Sequence, residues 1–335
     1  MNLRTIYFCL AAFCFASLRA QHFQFSQFYA SPTYLNPAFT GVNVCGRASI
    51  IYRKQWSGVP GTFTSYQASF DHSLRNYQSG VGLQFFSDKA GIGALKTTQI
   101  SVLYAYEARL NKSMMGRAGL SLGSVQRSVD YSAFTFGDQI ARNSGSSVEG
   151  FGDGRAVYFD VGTGILVYTE KEWLGVAVSH LNRPNQSLLD NTSPLPTEFK
   201  VHGGYKLTLA EHESTNKKIP YVNLLTLAFN YKHQRKFNQL DLGAYYTKNW
   251  LVLGAWYRGI PLSKPNGKDI NNDAAVFLIG FNFGTYKFGY SYDYTISKLS
   301  NLNSKGSHEI SMAYQLCSFK KSKKRKNILI SCPKF

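Results

Sequence analysis

Seven histidines are the first candidates for chemistry in this chain: His22, His72, His180, His202, His212, His233 and His308. A zinc or iron site needs several such ligands at short spacing on one element, and no two of these stand that way. No metal ligand set and no cofactor are implied. Acid–base work needs a carboxylate within hydrogen-bond reach of an imidazole. Asp71 precedes His72, and His180 falls near the end of a strand-like run, so both positions invite a hydrolase reading. Neighbours on a regular strand point to opposite faces, which keeps Asp71 and His72 from aiming at one substrate. Gly80-Val81-Gly82 and Gly162-Thr163-Gly164 resemble pieces of phosphate loops but lack the lysine and the helix start that a nucleotide requires. Glycine in a crowded interior or at a curved strand explains them better. No catalytic residue is assigned, and the chain is not read as an enzyme.

The elements that carry these residues are strands. Val157, Phe159, Val161, Ile165 and Val167 share one face of a segment whose other face holds Tyr158, Asp160, Gly162 and Gly164. Tyr286, Phe288, Tyr290, Tyr292 and Tyr294 likewise oppose Lys287, Gly289, Ser291, Asp293 and Thr295. This period-two alternation predicts strands near 46–54, 62–72, 78–87, 95–107, 113–126, 155–168 and 171–180. It continues near 197–209, 219–233, 236–247, 249–258, 273–283, 285–294 and 306–316. No apolar run reaches the eighteen residues of a membrane-spanning helix. Aromatic residues make up 15% and charged residues only 17% of the chain, against about 25% charged in ordinary soluble domains. Mean hydropathy is nonetheless −0.21. That combination fits walls with one lipid-facing and one polar side, and so an all-β transmembrane barrel of about fourteen antiparallel strands over residues 46–316.

The connections support the same reading. Taken in order, the even ones are tight, as at Arg75-Asn76-Tyr77, Leu110-Asn111-Lys112, Glu170 and Gly284-Thr285. Most odd ones are longer, chiefly Arg127 to Gly154 and Leu181 to Pro196. Bacterial outer-membrane barrels have short periplasmic turns and long outer loops, so both termini are expected in the periplasm. Arg4, the apolar run Ile6 to Ala16 and the small Ala20 read as a cleaved secretory signal over residues 1–20. Residues 21–45 form a lead-in that either fills or lines the lumen, or simply reaches the first strand. The formal charge of +18 does not indicate nucleic acid in an exported chain. Much of it sits in a basic periplasmic tail, 317–335, which reads as a solvated extension or as a docking segment for an acidic partner or anionic headgroups. Cys45, Cys317 and Cys332 remain after cleavage. A bond from Cys45 to Cys317 or Cys332 is geometrically open, and a free buried thiol is equally ordinary.

Arg53, Glu107, Arg117, Asp160, Asp241, Lys287, Asp293 and Glu309 fall on the inward face of their strands. Two readings stand for them: a salt-bridge lattice that rigidifies the wall and fills the bore, or a recognition surface for a peptide or protein segment.

Several motifs, in order along nearly the whole mature chain, resemble the PorP/SprF family of type IX secretion system membrane proteins. Tyr34-Leu35-Asn36-Pro37-Ala38-Phe39-Thr40-Gly41 is similar to that family's N-terminal signature, followed by Tyr52-Arg53-Lys54-Gln55-Trp56. Further matches are Asp88-Lys89-Ala90-Gly91, Ser179-His180-Leu181, Tyr292-Asp293-Tyr294-Thr295, Gly306-Ser307-His308-Glu309-Ile310 and the close Cys332-Pro333-Lys334-Phe335. The resemblance singles out Asn36, Pro37, Ala38, Gly41, Arg53, Trp56, Asp293, His308, Glu309, Cys332, Pro333 and Phe335. It implies an outer-membrane barrel supporting secretion or surface anchoring of cargo, gliding adhesins included, through the cargo's C-terminal domain. The implied partners are that domain, other secretion components of the outer membrane and periplasm, and the lipid bilayer. A general porin is the chief rival, with an outer-membrane hydrolase and a soluble β-sandwich behind it.

Overall fold

The structure is a computed structural model. It describes residues 24–317, apart from Tyr29, Val44, 92–94, 149–153, Asp190, 213–220, 261–270 and Lys298. The signal reading at 1–20 and the basic tail lie outside the described residues.

Fourteen antiparallel strands follow one another around a closed barrel, with β1 pairing β14 to complete it. The first seven are β1 (Gly46–Gln55), β2 (Phe63–Leu74), β3 (Ser79–Ala90), β4 (Leu95–Arg109), β5 (Met115–Ser128), β6 (Arg155–Tyr168) and β7 (Glu172–Ser179). The rest are β8 (Glu198–His212), β9 (Tyr221–Gln234), β10 (Phe237–Lys248), β11 (Leu251–Ile260), β12 (Asn271–Phe283), β13 (Tyr286–Thr295) and β14 (Ser307–Leu316). Every expected strand is present. Differences are confined to ends: β8 runs on to His212 and β12 begins at Asn271, beyond their alternating cores. Ladder hydrogen bonds continue past the point where the wall leaves lipid, and there the apolar–polar signal fades.

The seam runs in continuous register from Gly46 opposite Leu316 to Gln55 opposite Ser307. Just beyond it Cys45 is bonded to Cys317, their Cα atoms 4.7 Å apart, which decides among the open cysteine readings. Connections at this end are tight, as at 75–78, 110–114, 169–171, 249–250 and 284–285, while the other end carries 129–154 and 180–197. We refer to them as the turn side and the loop side.

No helix among the described residues is long and apolar enough to cross a membrane. The strands supply the apolar surface instead. Ile50, Val102, Ile100 and Ile165 are 58–60% exposed on the outer wall, an arrangement that water would penalise and hydrocarbon favours. Tyrosines flank this band: Tyr52 with Tyr66 toward the loops and Tyr286 with Tyr314 toward the turns.

The lumen departs from the expectation of a polar, watery bore. The described residues of 24–43 run inside it, so the lead-in is a filling segment. Opposite it the wall turns apolar inside as well: Leu103, Leu166, Val276 and Leu278 point inward and are buried. With protein instead of water in the bore, apolar side chains there gain close packing.

Candidate functional site

The filling segment is held along its length, on the loop side, in the middle and on the turn side. On the loop side, four wall residues converge on Ser26 and Gln27, each two positions from the loop-side end of its strand: Arg53, Arg258, Asp293 and Glu309. The Glu309 carboxylate accepts the successive backbone N–H groups of Ser26 (2.8 Å) and Gln27 (2.9 Å). The Ser26 hydroxyl donates to Asp293 (2.7 Å) and accepts from Arg53 and Arg258 (2.8 Å each), which uses its full bonding capacity. Arg53 also spans Asp293 and Glu309, while Arg258 spans Asp293 and Asp241. The Gln27 amide donates to the Glu309 carbonyl and the Ser291 hydroxyl and accepts from Ser311. All these side chains are buried. Unpaired charges there would be prohibitively costly, so the cluster demands this partner set.

In the middle, Asn36 starts the short turn Pro37–Phe39, its side-chain oxygen accepting from the Ala38 N–H. Its amide donates to the Ile165 and Val176 carbonyls (3.0 and 3.2 Å) and lies 3.1 Å from His202 Nε2. The wall makes room with glycine. A Cβ at Gly164 would stand 2.1 Å from Asn36 Oδ1, and one at Gly119 2.2 Å from the Ala38 nitrogen, so only glycine allows this approach. Around this point Phe28, Leu35, Ala38 and Phe39 pack with Leu166, Trp173, Tyr245 and Trp256.

On the turn side, Arg117 donates to the Ala38 (2.9 Å) and Thr40 (2.5 Å) carbonyls and pairs with Glu107, which also accepts from Tyr168 (2.7 Å). Asp71 accepts from the Gly41 N–H (3.0 Å) and takes a two-pronged contact from Arg47.

Of the eight inward charges read from the sequence, Arg53, Asp241, Asp293 and Glu309 meet in the loop-side cluster, and Glu107 pairs with Arg117 on the turn side. Asp160 lies 2.7 Å from His180 at the foot of loop 180–197, away from both. Lys287 has the inward parity of β13, opposite Ala313 and Asn282, and is half-buried near the turns. The two readings of these charges thus merge: the lattice recognises a peptide, and that peptide is the protein's own. Among the motif positions, Asn36, Pro37, Ala38 and Gly41 belong to the segment itself. Trp56 packs edge-on against Phe63 at the loop-side rim, and His308 lies on the outer face beside the Tyr290 hydroxyl. Cys332, Pro333 and Phe335 lie outside the described residues.

Sequence reasoning missed Ser26, Gln27, Arg47 and Arg258, and gave His202 no role. Strand parity was the available signal for those on the wall: Arg258 shares the inward face of Val252 and Trp256. Asp71, weighed as a catalytic acid, points inward with its carboxylate engaged, while His72 points outward and is exposed.

Beyond the lumen, loop 129–154 carries a helix, Gly137–Arg142. Asp138 binds it to a later stretch of the same loop, accepting from the Val148 N–H and the Ser147 hydroxyl and pairing with Arg142. The Val148 N–H, then Ser147 and Arg142, pull its carboxyl down to about 2. Ile140 and Val148 are each 72% exposed on this braced loop.

The family model for the type IX secretion system membrane protein PorP/SprF matches residues 17–314. Solved structures similar to the chain include the Ralstonia pickettii toluene transporter TbuX, at 10% identity and TM-score 0.47, covering 86% of this chain and 93% of that one. The Acinetobacter baumannii outer membrane protein Omp33 is similar at 6% identity and TM-score 0.43, with 83% and 100% covered. The Pseudomonas putida toluene transporter TodX is similar at 10% identity and TM-score 0.42, with 88% and 94% covered. No curated protein matches the chain.

Proposed function

Since the chain belongs to the PorP/SprF family of type IX secretion system membrane proteins, we propose that it is a closed outer-membrane scaffold that holds secreted cargo by its C-terminal domain while another component provides the passage. The observation that carries this reading is the filled lumen. Ser26, Gln27, Asn36 and Gly41 are each bound to the wall through buried groups, and a bore of fourteen strands with a folded peptide inside leaves no path for a protein.

Contact with cargo then falls to the loop side, where the braced loop presents Ile140 and Val148 to solvent. Exposed apolar side chains on a rigid support outside the lipid band suit a protein partner. In this reading the signal at 1–20 is removed, the turn side faces the periplasm, and the basic tail meets secretion components or anionic headgroups. The cargo includes surface adhesins where the cell glides, and the protein performs no catalysis.

Deleting the gene and comparing secreted and surface proteins tests this reading. Loss of one or a few cargos from the surface is expected of a cargo-specific scaffold, and loss of all of them of a core component. Unchanged secretion would overturn the function and leave the fold standing. The porin reading requires residues 24–43 to leave the bore, and steady ion conduction by the purified wild-type barrel in a planar bilayer would favour it.

A further inference from the structure

The outer wall carries a basic strip whose cations enter no salt bridge among the described residues. Following the register around the loop-side rim, Lys54 lies opposite Thr64, Thr64 opposite Lys89, Lys89 opposite Lys96, Lys96 opposite Ser128, and Ser128 opposite Arg155. Outward-facing cations therefore recur across β1 to β6. On the far side of the barrel the corresponding outward positions are Phe199, His233, Tyr257 and Tyr294.

At the centre of the strip is a concavity of about 590 Å³ formed by Tyr66, Ser87, Lys89, Lys96, Ser128 and Asp130, among others. Lys89 and Lys96 are directly opposed and both exposed. Like charges in that relation repel unless an anion lies between them. The adjacent Asp88 cannot serve, because it points inward and accepts from the Ser65 hydroxyl (2.5 Å). Asp130, at the edge, feels Lys89 but is already engaged by the Ser132 N–H and hydroxyl. Among these three groups one positive charge remains in excess. Toward the midplane the wall passes through Tyr66 to Phe85 and Ile100, which are 41–59% exposed. The amines thus stand where the apolar band ends, at headgroup height.

We propose that this concavity binds the phosphate-bearing headgroup of a membrane lipid in the loop-side leaflet. Lys89 and Lys96 hold the phosphate from two strands, Ser87 and Ser128 offer hydroxyl donors, and the acyl chains lie along Phe85 and Ile100. The cation–phosphate contacts are charge-assisted, and each lysine near a membrane surface contributes appreciably to anionic-lipid binding.

Native mass spectrometry of the full barrel in neutral detergent tests this with diphosphorylated lipid A, phosphatidylglycerol, phosphatidylcholine and inorganic phosphate as probes. The wild type is expected to retain one phosphorylated lipid in preference to phosphatidylcholine. The Lys89→Gln/Lys96→Gln variant is expected to bind it roughly tenfold to thirtyfold more weakly. Arg235→Gln/Lys236→Gln, on the far rim, removes the same charge and is expected to bind as the wild type; heat-modifiable gel migration checks that each variant is folded. Equal weakening in both variants, or no lipid preference in the wild type, would overturn the site. Displacement of the lipid by inorganic phosphate at comparable concentration would overturn the lipid as its ligand. None of these readouts depends on secretion, so failure here leaves the scaffold reading untouched.

Discussion

The same segment is held by two regions of the lumen in opposite ways. Around Ser26 and Gln27 the wall offers charges, and hardly any atom can be exchanged because the backbone N–H groups of both residues and the Ser26 hydroxyl each meet specific partners. Around Phe28 and Phe39 it offers apolar surface from Leu166, Trp173, Tyr245 and Trp256. Packing of that kind supplies free energy without strict direction, whereas buried ion pairs gain little net energy and are chiefly useful for fixing register. The apolar cluster thus accounts for why the segment stays inside, and the charged cluster for which residue sits where.

A matched pair of shape-conserving substitutions would break this comparison. Arg53→Met leaves Glu309 without its guanidinium and Asp293 with only Arg258, and stability should fall by about 3–5 kcal/mol. Urea titration of the refolded barrel, followed by the emission of the lumenal Trp173 and Trp256, measures it. Adding Glu309→Gln should restore part of the loss; no restoration would mean that the charges are not coupled. Phe39→Leu in the apolar cluster should cost about 1 kcal/mol on the same titration. A cost equal to that of Arg53→Met would abolish the distinction between the two regions.

The contrast also explains what was legible in the sequence. Alternation located all fourteen strands because each wall residue chooses between lipid and lumen, and parity alone put Arg53, Asp241, Asp293 and Glu309 inside. Their mutual contacts were not legible, because pairing between distant strands depends on the stagger of the closed barrel. The filling segment was legible only as one of two alternatives. Residues 24–43 have no regular period, being a coil with two short helical turns, and their burial is dictated by a wall that appears only once the barrel closes. The visible traces were the inward glycines and an inward face with more charge than an empty wall needs. Asn36 and Gly41 were singled out by family resemblance, but their task, fitting against Gly164 and donating to the Asp71 carboxylate, emerges only in three dimensions.

Outside the bilayer a third arrangement sharpens the comparison, since loop 129–154 is braced by one half-buried carboxylate at the surface. The Asp138 carboxyl is drawn from its ordinary 3.8 down to about 2, first by the Val148 N–H and then by Ser147 and Arg142. A folded-state value below the unfolded one stabilises the loop above about pH 4, and that contribution is lost as the pH falls toward 2. The Val148 amide shift, followed by NMR in detergent micelles, should therefore titrate with a midpoint near 2 in the wild type. In Asp138→Asn that transition should vanish, and exchange at the Val148 amide at neutral pH should quicken. A midpoint near 3.8 would mean that the carboxylate does not hold the loop, leaving Ile140 and Val148 without the rigid support that a docking surface needs. The effect is small beside that of Arg53→Met because water competes for every partner of Asp138 and for none of those around Ser26.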